Sequence, residues 1–365
     1  MSHLKLLVIS NYSGLNSSRP EAELMLGLKR AGVDITIMTP AKAEYVPVFE
    51  EAGIRVIDFQ PRKKFDRSEI DFIRKELIAG AYDVVHLFNG KAIINGLKAA
   101  RGLDVKVVLY RGYCGNIHWW DPSAYFKFLH PRADAIWCIA PAVAKMINRN
   151  KIFGKKNAFC ITKGHHPDWY KNVEPLSYSE FDIPENAFVV TMVANARPMK
   201  GLKYFIKATY DIVPSVPLYI LLIGNGLESN EIKALCERSP MKDRIVFTGY
   251  RSDSMRLVKN SDLFVLSSIY GEAICKSVIE AMSLGVAAVI TDIPGNRRMV
   301  IDGESGLVVP RKNPIAIARA IEYMYNHPDE RIKMAGAARQ RMQTEYHIDS
   351  TIEKMLAFYT KLADK

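Results

Sequence analysis

The chain contains no apolar run approaching the ~18–20 residues that a membrane span needs, so a spanning helix is not expected. Cysteine is scarce. The five thiols, Cys114, Cys138, Cys160, Cys236 and Cys275, are odd in number and scattered, with no paired ligand spacing. Neither a disulfide framework nor a zinc site is read from them, and a reduced, cytoplasmic compartment fits best. No charged leader stands before the first apolar segment, Leu4-Lys-Leu-Leu-Val-Ile-Ser10, so no secretory signal is expected. The loop after that segment lacks Gly-x-Gly-x-x-Gly, which argues against a dinucleotide-binding dehydrogenase. An Asp-x-Asp pair that could hold a divalent cation is also missing, and no metal or cofactor is expected. Internal repeats and low-complexity tracts are absent.

What is present is an ordinary globular composition, 48% hydrophobic and 24% charged, over 365 residues, enough for two domains. The net charge of +11 is unevenly placed: residues 1–170 carry 25 Lys and Arg against 16 Asp and Glu, and the remainder 25 against 23. The densest cluster is Arg62-Lys-Lys-Phe-Asp-Arg67, followed by Arg74 and Lys75. It reads either as a solvated helix face or as a contact for an anionic membrane surface or anionic acceptor. No nucleic-acid module stands behind the charge, so nucleic acid is not expected as a partner.

Strand-like and helix-like segments alternate throughout, the pattern of parallel sheets covered on both faces. A first series of strands reads at 4–10, 34–39, 55–59, 84–88, 105–110, 135–139 and 158–162, with helices between, among them 21–31, 67–79, 90–99 and 142–148. The stretch 172–184 is polar, carries two prolines and reads as the linker region. A second series follows at 188–193, 218–223, 244–248, 263–266, 286–291 and 306–309. The fold class is therefore α/β, two doubly wound Rossmann-like domains, with boundaries at 1–170 and 171–349 and a last helix over 350–365.

The most informative segment is Ile269-Tyr-Gly-Glu-Ala-Ile-Cys-Lys-Ser-Val-Ile-Glu-Ala-Met-Ser-Leu-Gly285. Glu272 falls in a strand-to-helix loop and Glu280 in the first turn of the helix that follows, at the end of a parallel strand where open α/β sheets bind ligands. Ser277-x-x-Glu280 equally fits a capping box, and Glu272 a solvated loop acid. Upstream, Val193-Ala-Asn-Ala-Arg-Pro-Met-Lys-Gly201 leads into a helix, so Arg197, Lys200 and backbone donors can converge on an anion; a surface loop with a glycine cap is the plainer reading. Gly224-Asn-Gly226 is weak evidence for any nucleotide and more often a tight turn. Tyr110-Arg-Gly-Tyr-Cys-Gly-Asn-Ile-His-Trp-Trp-Asp-Pro122 is aromatic, polar and broken by glycine. It reads as a ligand-binding loop, in which His118 and Asp121 bind hydroxyls, aromatic faces stack on sugar rings and Arg111 lines the cleft, or as core or interface packing of Trp119 and Trp120.

Glu-Ala-Ile-Cys-Lys-Ser-Val-Ile-Glu-Ala-Met resembles the Glu-x7-Glu motif of retaining GT-B glycosyltransferases of family 4, and Asp302-Gly-Glu-Ser-Gly-Leu-Val-Val-Pro310 resembles another block of that family. The resemblance is strong in the second domain and weak in the first. It implies two domains facing across a cleft, with the carboxyl-terminal helix packing back on the first. It implies that Glu272 binds hydroxyls of the donor sugar, Glu280 the ribose, and Arg197 and Lys200 the diphosphate. Arg197, Lys200 and Glu272 are then the catalytic set. Donor binding would also draw on Gly14, Asn195, Tyr250, Arg251, Ile274, Cys275, Lys276 and Ser277. The matches in the first domain are partial. Only Gly14, with Arg19 nearby, stands where the family carries two glycines. Phe88 replaces the second histidine of Asp83-Val-Val-His86, whose His86 is a site or a core residue. Lys163-Gly-His-His166 stands where the family shows Asn-Gly-x-Asp. The implied activity moves a sugar from a nucleotide-sugar donor to a glycan or glycolipid acceptor with retention of configuration, in lipopolysaccharide or surface-polysaccharide assembly, on the cytoplasmic face of the membrane. A nucleotide-sugar 2-epimerase of the same fold and a non-catalytic sugar-nucleotide-binding protein are the alternatives.

Overall fold

The structure, a computed structural model, describes residues 4–212 and 217–364, without the side chains of 15–17. It divides into two compact units: one runs to His165 and takes in the chain again from Tyr346, and the other spans His166–Glu345.

In the first unit seven parallel strands lie in the order β3-β2-β1-β4-β5-β6-β7. They are β1 (Lys5–Ile9), β2 (Asp34–Thr39), β3 (Arg55–Asp58), β4 (Val84–Leu87), β5 (Lys106–Arg111), β6 (Ala135–Cys138) and β7 (Ala158–Cys160). Leu6, Leu7, Val8 and Ile9 are all fully buried, because helices cover both faces of the sheet. The helix Ile348–Ala363 belongs to this unit. It packs on the helix Leu15–Arg30, and its Thr351 Oγ1 donates to the Thr162 carbonyl (2.7 Å) while accepting from the Gly164 amide (2.9 Å).

The second unit has six parallel strands in the order β10-β9-β8-β11-β12-β13: β8 (Phe188–Val193), β9 (Leu218–Ile223), β10 (Ile245–Gly249), β11 (Leu263–Leu266), β12 (Ala287–Thr291) and β13 (Leu307–Val309). Chain order reverses between the neighbours β8 and β11, and ligands of open α/β sheets bind beyond the carboxyl ends of strands at such a reversal. β8 and β11 pair only at Leu263↔Val190 and Phe264↔Thr191. The loops leaving these two strands carry the sequence segments centred on Lys200 and Glu272.

Two readings are corrected. Residues 172–184 are not a linker but packed structure of the second unit: Tyr178 is buried, and its hydroxyl donates to the Leu257 carbonyl (2.7 Å). The tyrosine and Ile183 supply an apolar anchor that the two prolines obscured. The first helix begins at Leu15 rather than 21 and carries Pro20 inside it, so Arg19 is helical and not part of a loop.

Candidate active site

The site is built from two loops joined to each other. After β8 a short turn, Pro198–Lys200, ends on Gly201, whose φ of +66° suits a residue without Cβ. Space requires glycine as well, since a Cβ there would lie 2.1 Å from the Ser267 carbonyl oxygen. The Ser267 hydroxyl donates to the Lys200 carbonyl (3.0 Å), and the Ile269 amide to that of Met199 (2.8 Å). This contact brings together side chains 72 positions apart in sequence: the Lys200 ammonium donates to Glu272 Oε1 at 2.6 Å. The same oxygen accepts from the Ser268 hydroxyl (2.9 Å), and Lys200 also reaches Cys275 Sγ (3.7 Å).

Both charged groups of this pair are nearly enclosed, with side chains 15% and 9% exposed. Burial opposes the Lys200 ammonium, but Cys275 and the Glu272 carboxylate beside it outweigh that and hold its pKa above the ordinary lysine value. Burial pushes the Cys275 thiol up, with Lys200 acting against it. Arg197, by contrast, is exposed, and among the described residues its guanidinium has no partner.

The capping alternative for Glu280 is not realised. The helix Lys276–Ser283 has Cys275 at its N-cap and no side-chain cap. Ser277 turns its hydroxyl to Cys275 Sγ (3.3 Å), and Glu280, in the second turn rather than the first, pairs with Lys276 (3.0 Å). All these groups line one cavity of about 300 Å³: Asn195, Arg197 and Lys200 from the first loop, Glu272, Ile274 and Cys275 from the second, Lys276, Ser277 and Glu280 from the helix, and Tyr250 and Arg251 beyond β10. Tyr250 is 75% exposed, so one ring face is open to a planar ligand. Arg251 is a structural clamp. Its guanidinium meets Glu180 (2.9 Å twice) and Asp253 (2.8 and 2.9 Å), so two of its bonds hold the 172–184 segment and two fix the arginine to its own turn. Glu180 lies 71 residues away in a stretch read as linker, which is why the clamp was not foreseen.

One supporting residue escaped the sequence reading. A Cβ on Gly295 would lie 1.8 Å from the Glu272 carbonyl oxygen, so this glycine lets the loop bearing Glu272 close down on it. The Pro294-Gly295 dipeptide was the available signal, a turn marker with nothing local to say what it touches.

The predicted residues of the first unit are not assembled in this way. His86 is a core residue: fully buried, its Nδ1 meets the Tyr359 hydroxyl (2.5 Å) and its ring lies against Phe88 and Trp137. Burial lowers its pKa to about 3. With the folded value below that of the free side chain, 6.5, its contribution to stability is complete above pH 6.5 and is lost as pH falls toward 3. About 2 kcal/mol is expected to be gone by pH 5. Urea titrations at pH 7 and pH 5 on wild type and His86→Phe test this: the variant should lose most of the acid sensitivity. Arg111 donates to the carbonyls of Tyr113 (2.9 Å) and Gly115 (2.7 Å) and so shapes its own loop. Burial lowers its pKa. His118 stacks on Trp120 at 4.8 Å. Asp121 caps the turn Pro122–Phe126, accepting from the Ser123 amide (2.8 Å). Gly14 is the N-cap of the first helix, on which Arg19 is half-buried. Trp119 and Trp120, 55% and 64% exposed, are not core packing.

Comparison with known proteins assigns both units. Residues 177–341 match the family model of glycosyl transferases group 1, and residues 22–162 match that of glycosyltransferase family 4. The crystal structure of HepE from Anabaena in complex with UDP superposes with a TM-score of 0.78 at 16% identity, over 98% of this chain and 100% of that one. The chain has the GT-B fold, and each of its two units matches a glycosyltransferase family model. Among its curated relatives is the UDP-Gal:alpha-D-GlcNAc-diphosphoundecaprenol alpha-1,3-galactosyltransferase of Escherichia coli, 26% identical over 183 residues (48% of this chain, 46% of the relative). Another is the lipopolysaccharide core biosynthesis glycosyltransferase LpsE of Rhizobium meliloti, 24% identical over 233 residues (64% and 65%). The aligned part of this chain spans about half the length of the first curated relatives it matches.

Proposed function

We propose that this chain transfers a sugar, with retention of configuration, from a nucleotide-sugar donor to a glycan or glycolipid acceptor in the assembly of a cell-surface glycan. The Lys200–Glu272 couple carries the reading: a buried ammonium held by a carboxylate, beside an unpaired arginine, in a cavity at a strand-order reversal. Lys200 has three N–H donors and gives one to Glu272, so another is available to a phosphate oxygen. Arg197 adds a planar fork suited to the same diphosphate. Charge grows on the departing diphosphate as the glycosidic bond breaks, and fixed cations there stabilise the transition state more than the ground state. Glu272 Oε2, used in neither of the bonds to Oε1, accepts from a donor-sugar hydroxyl, and Glu280 accepts from the ribose. The cations meet the leaving-group charge without a metal, so turnover should persist in EDTA. The names of the relatives support a surface-glycan acceptor, and UDP is the first nucleotide to test.

Calorimetric titration with UDP and with inorganic pyrophosphate checks the arrangement. Glu280→Gln is expected to weaken UDP about tenfold while leaving pyrophosphate affinity and melting temperature unchanged, since a hydrogen bond to a charged acceptor is lost and no helix cap is. A fall in melting temperature with intact UDP affinity would make Glu280 structural. Conversion of a donor to its epimer without acceptor would replace transfer by epimerisation, and binding without turnover would leave a sugar-nucleotide-binding protein.

A further inference from the structure

Three segments of the first unit, distant in sequence, meet at the surface. Phe65 packs edge-on against Phe126, with ring centroids 5.4 Å apart, and Lys98 lies 4.7 Å over the Phe65 ring. Tyr125, next to Phe126, contacts Phe153 at 6.4 Å and donates its hydroxyl to the Trp119 carbonyl (2.8 Å). The Trp119 amide donates to Asn150 Oδ1 (3.2 Å), which closes the chain of contacts. Such a concentration of large exposed side chains is unusual on a surface with no partner: Phe153 is 69% exposed, Trp120 64%, Trp119 55%, Phe126 50% and Phe65 44%.

Charge accompanies the rings. Residues 62–67, 118–127 and 149–156 together hold nine Lys and Arg against two Asp, and all of the cations except the buried Lys151 reach the surface. Both acids are engaged by their own backbone: Asp66 caps the helix Arg67–Gly80, and Asp121 caps the turn after it. The patch therefore presents aromatic rings set among cations. A protein interface has a core depleted of lysine, and a strip for a polyanion has no need of exposed phenylalanine and isoleucine such as Phe153 and Ile152. Rings that seat at headgroup depth, surrounded by lysines that meet lipid phosphates, satisfy both features at once.

We propose that this face docks on an anionic lipid bilayer, holding the protein at a membrane that no helix among its described residues is long and apolar enough to cross. The inference is independent of the transfer chemistry. Sedimentation with vesicles of phosphatidylcholine alone, or of phosphatidylcholine and phosphatidylglycerol two to one, tests it on the full chain. Binding is expected to the mixed vesicles and not to the neutral ones, with a blue shift of tryptophan emission as Trp119 and Trp120 leave water. Lys155→Gln with Lys156→Gln should weaken partitioning about twentyfold, roughly fivefold for each lysine. Phe153→Ser should weaken it about tenfold, judged from the apolar area it withholds from the bilayer. All three side chains are exposed, so unchanged melting curves show that the variants are folded. Equal partitioning to both vesicle types, binding that survives both variants, or binding without an emission shift would overturn the proposal. So would retention on duplex DNA combined with no affinity for either vesicle.

Discussion

Replacing Lys200 by alanine is expected to lower kcat/KM for sugar transfer by about 10²–10³-fold and the unfolding free energy by about 3–5 kcal/mol. The two losses have different origins. The first is the cation withdrawn from the leaving group, and the second is a Glu272 carboxylate left buried without its partner. A double replacement separates them. Lys200→Met with Glu272→Leu removes both charges and fills similar volume, so urea titration should show most of the stability restored while turnover stays absent. Recovery of turnover in the double variant would make the pair a structural device. The sign of its pH dependence follows from the raised pKa of Lys200. The stabilisation is fully present below the free lysine value of 10.5 and disappears only as pH climbs through the higher folded value. Titration between pH 6 and 9 should leave this contribution untouched, unlike the acid loss at His86.

Gly295→Ala should have an effect of similar size on a residue that touches no ligand. Its added methyl would sit 1.8 Å from the Glu272 carbonyl oxygen, 2.4 Å from the carbonyl carbon and 2.8 Å from the Ala273 Cα. All three are backbone atoms, and no rotamer change relieves the overlap. The loop bearing Glu272 must move, at a cost of about 3 kcal/mol in stability. UDP affinity should fall together with stability, because the shift takes Glu272 away from Lys200. The same melting and titration measurements decide it: a variant with wild-type melting temperature and wild-type UDP affinity would mean that the loop has room the structure does not show.

Much of the second unit could be read from the sequence because its signals are local. The strand Leu263–Leu266, the spacing from Glu272 to Glu280, and the Arg197-Pro-x-Lys-Gly201 run each lie within a few residues. What went unread depends on partners far along the chain. Arg251 meets Glu180, Gly295 meets Glu272, and Tyr178 reaches back to Leu257. No periodicity marks such pairs, so nothing in the sequence shows that the guanidinium of Arg251, which lines the cavity, also clamps a distant segment, or that the stretch read as linker is packed structure. In the first unit the histidine at position 86 could be a core or a site residue by type alone, and only its neighbours Phe88, Trp137 and Tyr359 decide. The serine of a capping box was present, but the helix starts one residue before it, so the spacing that suggested a cap does not form one.

The short pairing of β8 with β11 leaves the ends of those strands apart, and the hydrogen bonds from Ser267 and Ile269 to Lys200 and Met199 rejoin them at the loops. Both walls of the crevice are thus immobilised when the chain folds, before any nucleotide arrives. Binding then demands little further ordering of backbone, and affinity reflects the contacts a ligand makes rather than the disorder it must quench.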